Sequence, residues 1–320
     1  MSTHSPRTPW RAVALAALTA ALAAPLDAQR GPTGAWELEH RPEFGSVQLV
    51  FRDVGSRGGM SSFGVDPDSL PGLARAQLAP GYEGPVRFRL ARDAGTFAFE
   101  GSVGRGRGRG TYEFTPSAAF ADALERRGYE RPTEEQQFSL ALHGVGYALV
   151  DELRAQRYER PSVSDLVTMG RHGVYGDYVR RLGTLGYRLG TAEALVGFRD
   201  HGVTPRFIEA LAAAGYRDLP ADEVRHLRDV GVTPEYIADL AAVGYRAIPL
   251  GDLVDARNHG VTRNFAAGFE RAGYPRFPLR ELIRLRDHGV TPAFAQRMRE
   301  RTGRVLTARE LIDARNRGYE

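Results

Sequence analysis

The chain has 320 residues, 42% of them hydrophobic and 26% charged, which is ordinary for a soluble globular protein and leaves room for two domains. It contains no cysteine and its 43 basic residues are all arginine, so disulfides, a lipoprotein anchor, a cysteine nucleophile and the lysine of a phosphate loop are excluded. The formal charge of +4 is a weak bias toward anionic partners and does not identify one.

The first 28 residues read as a signal peptide. Arg7 and Arg11 supply a positive end, Ala12 to Ala24 an apolar core, and Leu26-Asp27-Ala28 a small residue for cleavage before Gln29. Thirteen residues are too few to span a bilayer, which takes about 20. The expected product is therefore periplasmic or secreted, with no membrane span. Losing two arginines and Asp27 leaves it a formal charge of about +3. The exclusive use of arginine reads as coding bias.

Residues 29–115 carry a period of two. Val47, Leu49 and Phe51 alternate with Gln48, Val50 and Arg52, and Val86, Phe88 and Leu90 alternate with Arg87, Arg89 and Ala91. Phe97 and Phe99, then Tyr112 and Phe114, continue the scheme, as expected of antiparallel strands with one buried face. Asp93-Ala94-Gly95 and the run from Gly104 to Gly110 read as connections, so 86–115 is expected to be a three-stranded meander. Shorter strands are expected at Trp36–Leu38 and Ser62–Val65, and a turn of helix at Ser69–Leu78. The glycine and arginine run invites a nucleic-acid reading. Lacking interleaved aromatics, it reads better as a flexible hairpin whose arginines keep a sheet edge soluble, and no nucleic acid is expected.

From 116 to 320 one period governs the chain. Gly144, Gly173, Gly202, Gly231, Gly260, Gly289 and Gly318 follow one another at intervals of 29 residues, mostly in a His-Gly-Val step. A Gly-Tyr step at Gly128, Gly186, Gly215, Gly244 and Gly273 keeps the same interval, with Arg157 and Thr302 in the two remaining slots. Seven units without an insertion predict an α-solenoid of two-helix repeats. The expected fold class is thus α+β, an N-terminal antiparallel β domain (29–115) followed by the solenoid (116–320).

Equivalent positions show which faces are buried. The second helix offers Phe120, Leu149, Tyr178, Phe207, Tyr236, Phe265 and Phe294, each with an apolar residue four places on. The first offers Leu166, Leu195, Val224, Leu253, Leu282 and Leu311. Thr133, Ser162, Thr191 and Thr307 read as helix caps; Gln136 and Glu310 complete a capping box and Asp165 approximates one. Pro220, Pro249 and Pro278 open other first helices. Helices of about ten residues are marginal alone, so each unit must share its core with its neighbours.

The phrase Leu-x-x-Leu-Arg-Asp-His-Gly-Val-Thr-Pro-x-Phe at Leu282–Phe294 resembles the repeats that trail the membrane sensor metallopeptidases of the β-lactam antirepressor type. The resemblance covers roughly residues 117–320 and implies a repeat module only. The peptidase motif His-Glu-x-x-His does not occur, so no catalytic residue is carried over.

Two ladders of polar residues stand out. His143, His172, His201, His259 and His288 share a slot, but equivalent residues of adjacent units lie about 8–10 Å apart. Metal ligands need to be within about 2–3 Å of one ion. We therefore expect no metal and read these histidines as stabilising helix C-termini. Arg199, Arg228, Arg257, Arg286 and Arg315 form the second ladder, beside Asp200, Asp229, Asn258, Asp287 and Asn316. Such a row is the candidate for gripping carboxylates or phosphates along an extended ligand, although pairing with the aspartates of neighbouring units is the simpler expectation. No nucleophile elbow, phosphate loop or calcium loop is present. The reading is of an exported non-enzymatic scaffold without a cofactor, binding a protein or peptide in the cell envelope. The alternative is a β domain with a ligand-binding or hydrolytic role and the repeats as spacer.

Overall fold

In a computed structural model, residues 32–54 and 59–319 are described. The leader expected at 1–28 lies outside them. Strands β1 (Thr33–Arg41), β2 (Ser46–Val54), β3 (Gly59–Val65), β4 (Glu83–Arg92), β5 (Gly95–Gly104) and β6 (Arg107–Pro116) form one antiparallel sheet in the order β3-β2-β1-β6-β5-β4. Two meanders are thus joined through β1 and β6. The period-two residues Val47, Leu49, Phe51, Val86, Phe88, Leu90, Phe97, Phe99, Tyr112 and Phe114 are all buried. β1 and β3 are longer than the expected short strands.

The sheet curls tightly. Phe51 on β2 and Phe97 on β5 are three strands apart, about 14 Å in a flat sheet, yet their ring centroids are 5.0 Å apart. The concave face is filled by this aromatic cluster. The stretch between β3 and β4, expected to be helical at Ser69–Leu78, instead makes 3-10 turns at Pro67–Ser69 and Arg75–Leu78. It buries Leu70, Leu73 and Leu78. Pro71 accepts a backbone hydrogen bond from Arg89 at 2.9 Å, which covers part of the β4 edge.

The run from Gly104 to Gly110 differs from the expected flexible hairpin. Only Arg105 and Gly106 lie between the strands; Arg107 onward is β6, paired on both sides. Gly108 of this run and Gly101 of β5 make a floor for Trp36. A Cβ on Gly101 would stand 2.8 Å from the indole, and one on Gly108 2.9 Å. Trp36 Nε1 donates to the carbonyls of Glu100 and Thr111 at 3.1 and 3.0 Å, satisfying the buried indole.

Fourteen helices follow among the described residues. The first helices of the units are α2 (Glu134–Leu142), α4 (Val163–Arg171), α6 (Ala192–Asp200), α8 (Ala221–Val230), α10 (Leu250–Asn258), α12 (Leu279–Asp287) and α14 (Ala308–Asn316). The second helices are α1 (Ala118–Arg126), α3 (Tyr147–Ala155), α5 (Gly176–Thr184), α7 (Pro205–Ala213), α9 (Pro234–Ala242), α11 (Arg263–Arg271) and α13 (Pro292–Thr302). The heaviest interhelix contacts run between alternate helices: α3 with α5, α5 with α7, α7 with α9, α9 with α11 and α11 with α13 on one side. On the other they link α2, α4 and α6, then α8, α10, α12 and α14. Every slot residue predicted to be apolar and facing inward is buried, from Phe120 at 0% to Phe265 at 7% exposed.

Local chemistry fixes the helix ends. Thr133, Ser162 and Thr307 each complete a reciprocal capping box, Asp165 serving as well as Gln136 or Glu310. Thr204, Thr233, Thr262 and Thr291 cap the second helices through their hydroxyls. The His-Gly-Val glycines hold φ between 67° and 75°, the left-handed conformation that ends a helix. The following valine N–H closes back on the carbonyl five residues earlier, as Val232 does on Leu227 at 2.9 Å.

The sheet docks on the first unit. Phe138 of α2 is buried against Phe97, Phe114 and Tyr112, with centroids 5.4–6.2 Å away. Asp93, in the β4–β5 turn, accepts from the Tyr147 N–H at the start of α3 at 2.8 Å. One hydrophobic cluster runs unbroken from Trp36 to Ala314.

Candidate binding face along the helical repeats

The two polar ladders lie side by side, and their partners differ from expectation. Asp200, Asp229 and Asp287 do not pair with arginine. They share hydrogen bonds with the histidine of the preceding unit, His172, His201 and His259, at 2.6, 2.6 and 2.7 Å. These histidines do stand at helix C-caps, but their ring nitrogens bond a carboxylate 28 residues on and not the last carbonyls. Where Val230 takes the histidine slot, the facing residue is Asn258 and no aspartate is present. Among the described residues no cluster of three or more His, Asp or Glu is arranged to hold a metal ion.

The arginine ladder stacks on the aromatic slot of the unit before it. The guanidinium carbons of Arg199, Arg228, Arg257, Arg286 and Arg315 lie 5.2, 5.3, 5.1, 5.1 and 5.3 Å from the ring centroids of Tyr178, Phe207, Tyr236, Phe265 and Phe294. The arginine stem also crosses the left-handed glycine of that unit: Nε of Arg257 lies 3.1 Å from where a Cβ on Gly231 would be. Stacking over a ring leaves the guanidinium edge open. None of the five has a hydrogen bond or an ion pair among the described residues. Hydrogen bonds from its own backbone and from Thr233 hold Glu235 below the usual carboxylate range, and at longer range the charges of Arg206 and Arg228 add to them.

Tyrosines join consecutive units at both ends of the second helices. Tyr187, Tyr216 and Tyr245 donate to the carbonyls of Leu219, Ile248 and Phe277 in the next unit at 2.9, 2.7 and 2.6 Å. Tyr178 and Tyr236 donate to Val203 and Val261 at 2.9 and 3.0 Å. Burial pushes Tyr236 and Tyr245 up to about 12 and raises Tyr178 further, so all remain neutral donors at ordinary pH. The result is a row of five stacked cations, one in each unit from Arg199 to Arg315.

The sheet offers a different surface. Its concave face is packed solid, and its outer face bears an open cleft of about 770 Å³ lined by Glu37, Glu39, Arg41, Arg107 and Arg109. The two glutamates are engaged: Arg52 meets Glu37 at 2.7 Å, and Arg107 meets Glu39 at 3.1 Å. Arg52 holds the Glu37 carboxyl below its usual range, opposite to what a proton donor requires. No helix among the described residues is long and apolar enough to cross a membrane.

The arginine row was visible as a sequence ladder; its partners were not, because an aromatic 21 residues upstream carries no mark of what lies across it. The concordance of His and Asp at a separation of 28 is the signal that would have assigned the carboxylates and left the arginines open. Compared with protein families, with curated proteins and with solved structures, the chain matches none of them.

Proposed function

We propose that the chain is an exported, non-enzymatic repeat protein whose helical pairs stack as an α-solenoid and bind an extended, acidic segment of another protein in the cell envelope. The observation that carries this is the row formed by Arg199, Arg228, Arg257, Arg286 and Arg315, five guanidinium groups held over aromatic rings with no carboxylate bonded to them among the described residues. Holding a cation in place before binding reduces the ordering cost that a free arginine would bring. An evenly spaced row suits an extended chain carrying carboxylates at intervals. The leader-like residues 1–28 and the resemblance of Leu282–Phe294 to envelope-associated repeats support the location.

The test is a binding screen of the purified chain against an arrayed library of extended Glu- and Asp-bearing peptides, repeated with the triple variant Arg228→Gln, Arg257→Gln, Arg286→Gln. Salt-sensitive binding that the variant loses while its circular dichroism is unchanged is the expected result. Binding unaffected by the variant, or none across the library, overturns the proposal.

A further inference from the structure

The arginine ladder and the aspartates beside it give way at α4, in the second unit. The slot that holds arginine in the later units holds Gly170, and the slot that holds Asp or Asn holds Arg171. His143 therefore faces an arginine where His172, His201 and His259 face an aspartate. Glycine is required at 170, where a Cβ would meet Val145 and His143; arginine in place of aspartate at 171 changes the sign of what lines the space beside it.

That space is a cleft of about 550 Å³ between β3 and the first two helical units. Ser61, Ser62, Arg92, His143, Arg171 and Tyr175 line it, and no acidic side chain does. Arg92 enters from the end of β4, so the cations come from both parts of the molecule. Neither Arg92, Arg171 nor the His143 ring has a hydrogen bond or ion pair among the described residues. Asp93, the neighbouring acid, accepts from the Tyr147 N–H and acts on Arg92 through its charge, without an ion pair. Burial lowers the Arg92 pKa against the opposing charge of Asp93, and burial followed by the charge of Arg171 lowers that of His143. Two arginines at a cleft with no acid in its lining, countered only by the charge of Asp93 beside Arg92, are a cost in the folded chain that a bound anion would offset. Tyr175 is one of the few large hydrophobic side chains left exposed, at 40%, and it offers a ring face beside the charges. The volume exceeds what a lone oxyanion fills.

We propose that this junction cleft binds a small phosphomonoester, its phosphate held by Arg92 and Arg171 with the serine hydroxyls and its organic ring laid against Tyr175. Two guanidinium forks suit a phosphate dianion better than a single carboxylate. The site is independent of the arginine row and stands if that row binds nothing.

The probe is phenyl phosphate, titrated calorimetrically into the full chain at low salt, with inorganic phosphate and phenol in parallel. Saturable binding at least about tenfold tighter than inorganic phosphate is expected, with a loss of at least about tenfold in Arg171→Asp and in Arg92→Gln. Arg171→Asp restores the residue of the later units and gives His143 its missing partner, so it is expected to fold at least as stably as the parent. No saturable binding, equal affinity for inorganic phosphate, or unchanged binding in a folded Arg171→Asp protein would each overturn the assignment.

Discussion

The sheet and the helical repeats bury their apolar residues by opposite means. In the sheet, residues far apart in sequence converge: Trp36 meets Phe88 and Phe99, and Phe51 meets Phe63, Phe97, Phe99 and Tyr112. In the repeats, nearly every bond between units spans 21 to 32 residues, such as Tyr216 to Ile248 or His201 to Asp229. The first is a core that exists only when all six strands are present; the second is a set of neighbour contacts copied along the chain. Damage should therefore spread through the sheet and stay local in the repeats.

The largest expected effect follows from that contrast. Phe97 is fully buried and touches rings on β2, β6 and α2. Phe97→Ala should cost about 3–5 kcal/mol and loosen the first helical unit along with the sheet, while hydrogen exchange near α12 stays as in the parent. Protection lost equally along the whole chain would remove the distinction.

A smaller and confined effect is expected at Gly231. Its φ of 75° and the Arg257 guanidinium 3.1 Å from any added Cβ both oppose a side chain. Gly231→Ala should cost about 1–2 kcal/mol, whereas Gly197→Ala, in the middle of α6 with nothing near it, should stabilise by about 0.5–1 kcal/mol. Denaturant midpoints of the two variants check the opposite signs.

Alkaline pH should weaken the repeats through their tyrosines. Tyr236 and Tyr245 titrate at about 12 when folded and at about 10 when unfolded. The folded chain holds these protons more tightly, so the stabilisation is complete below pH 10 and is lost as pH rises toward 12. Thermal melts across this range should show the helical signal falling, and Tyr236→Phe with Tyr245→Phe should flatten the slope. An identical slope in the double variant would assign the effect elsewhere.

The same contrast explains what could be read from the sequence. Slots Leu166 to Leu311, the left-handed glycines and the capping residues recur at one interval, so each copy confirms the others and the paired helices were legible throughout. Glycine concealed the first half of β6: without side chains at 108 and 110 the inward face shows no hydrophobic residue before Tyr112, although the arginines already alternate as a strand does. The partners of the arginine ladder were hidden because stacking on an aromatic leaves no complementary charge to search for. The junction cleft lay in the departures, Gly170 and Arg171, which a reading tuned to the repeat passes over.

Excision of one whole period tests the proposed stack most directly. Removing residues 232–260 joins Gly231 to Val261 and restores the Gly-Val step in register. The shortened chain should unfold cooperatively, with unchanged helicity per residue and a denaturant slope reduced in proportion to the area lost. A shortened chain that aggregates or loses its helices would contradict that account, since a single globule cannot surrender two adjacent helices and close without a gap.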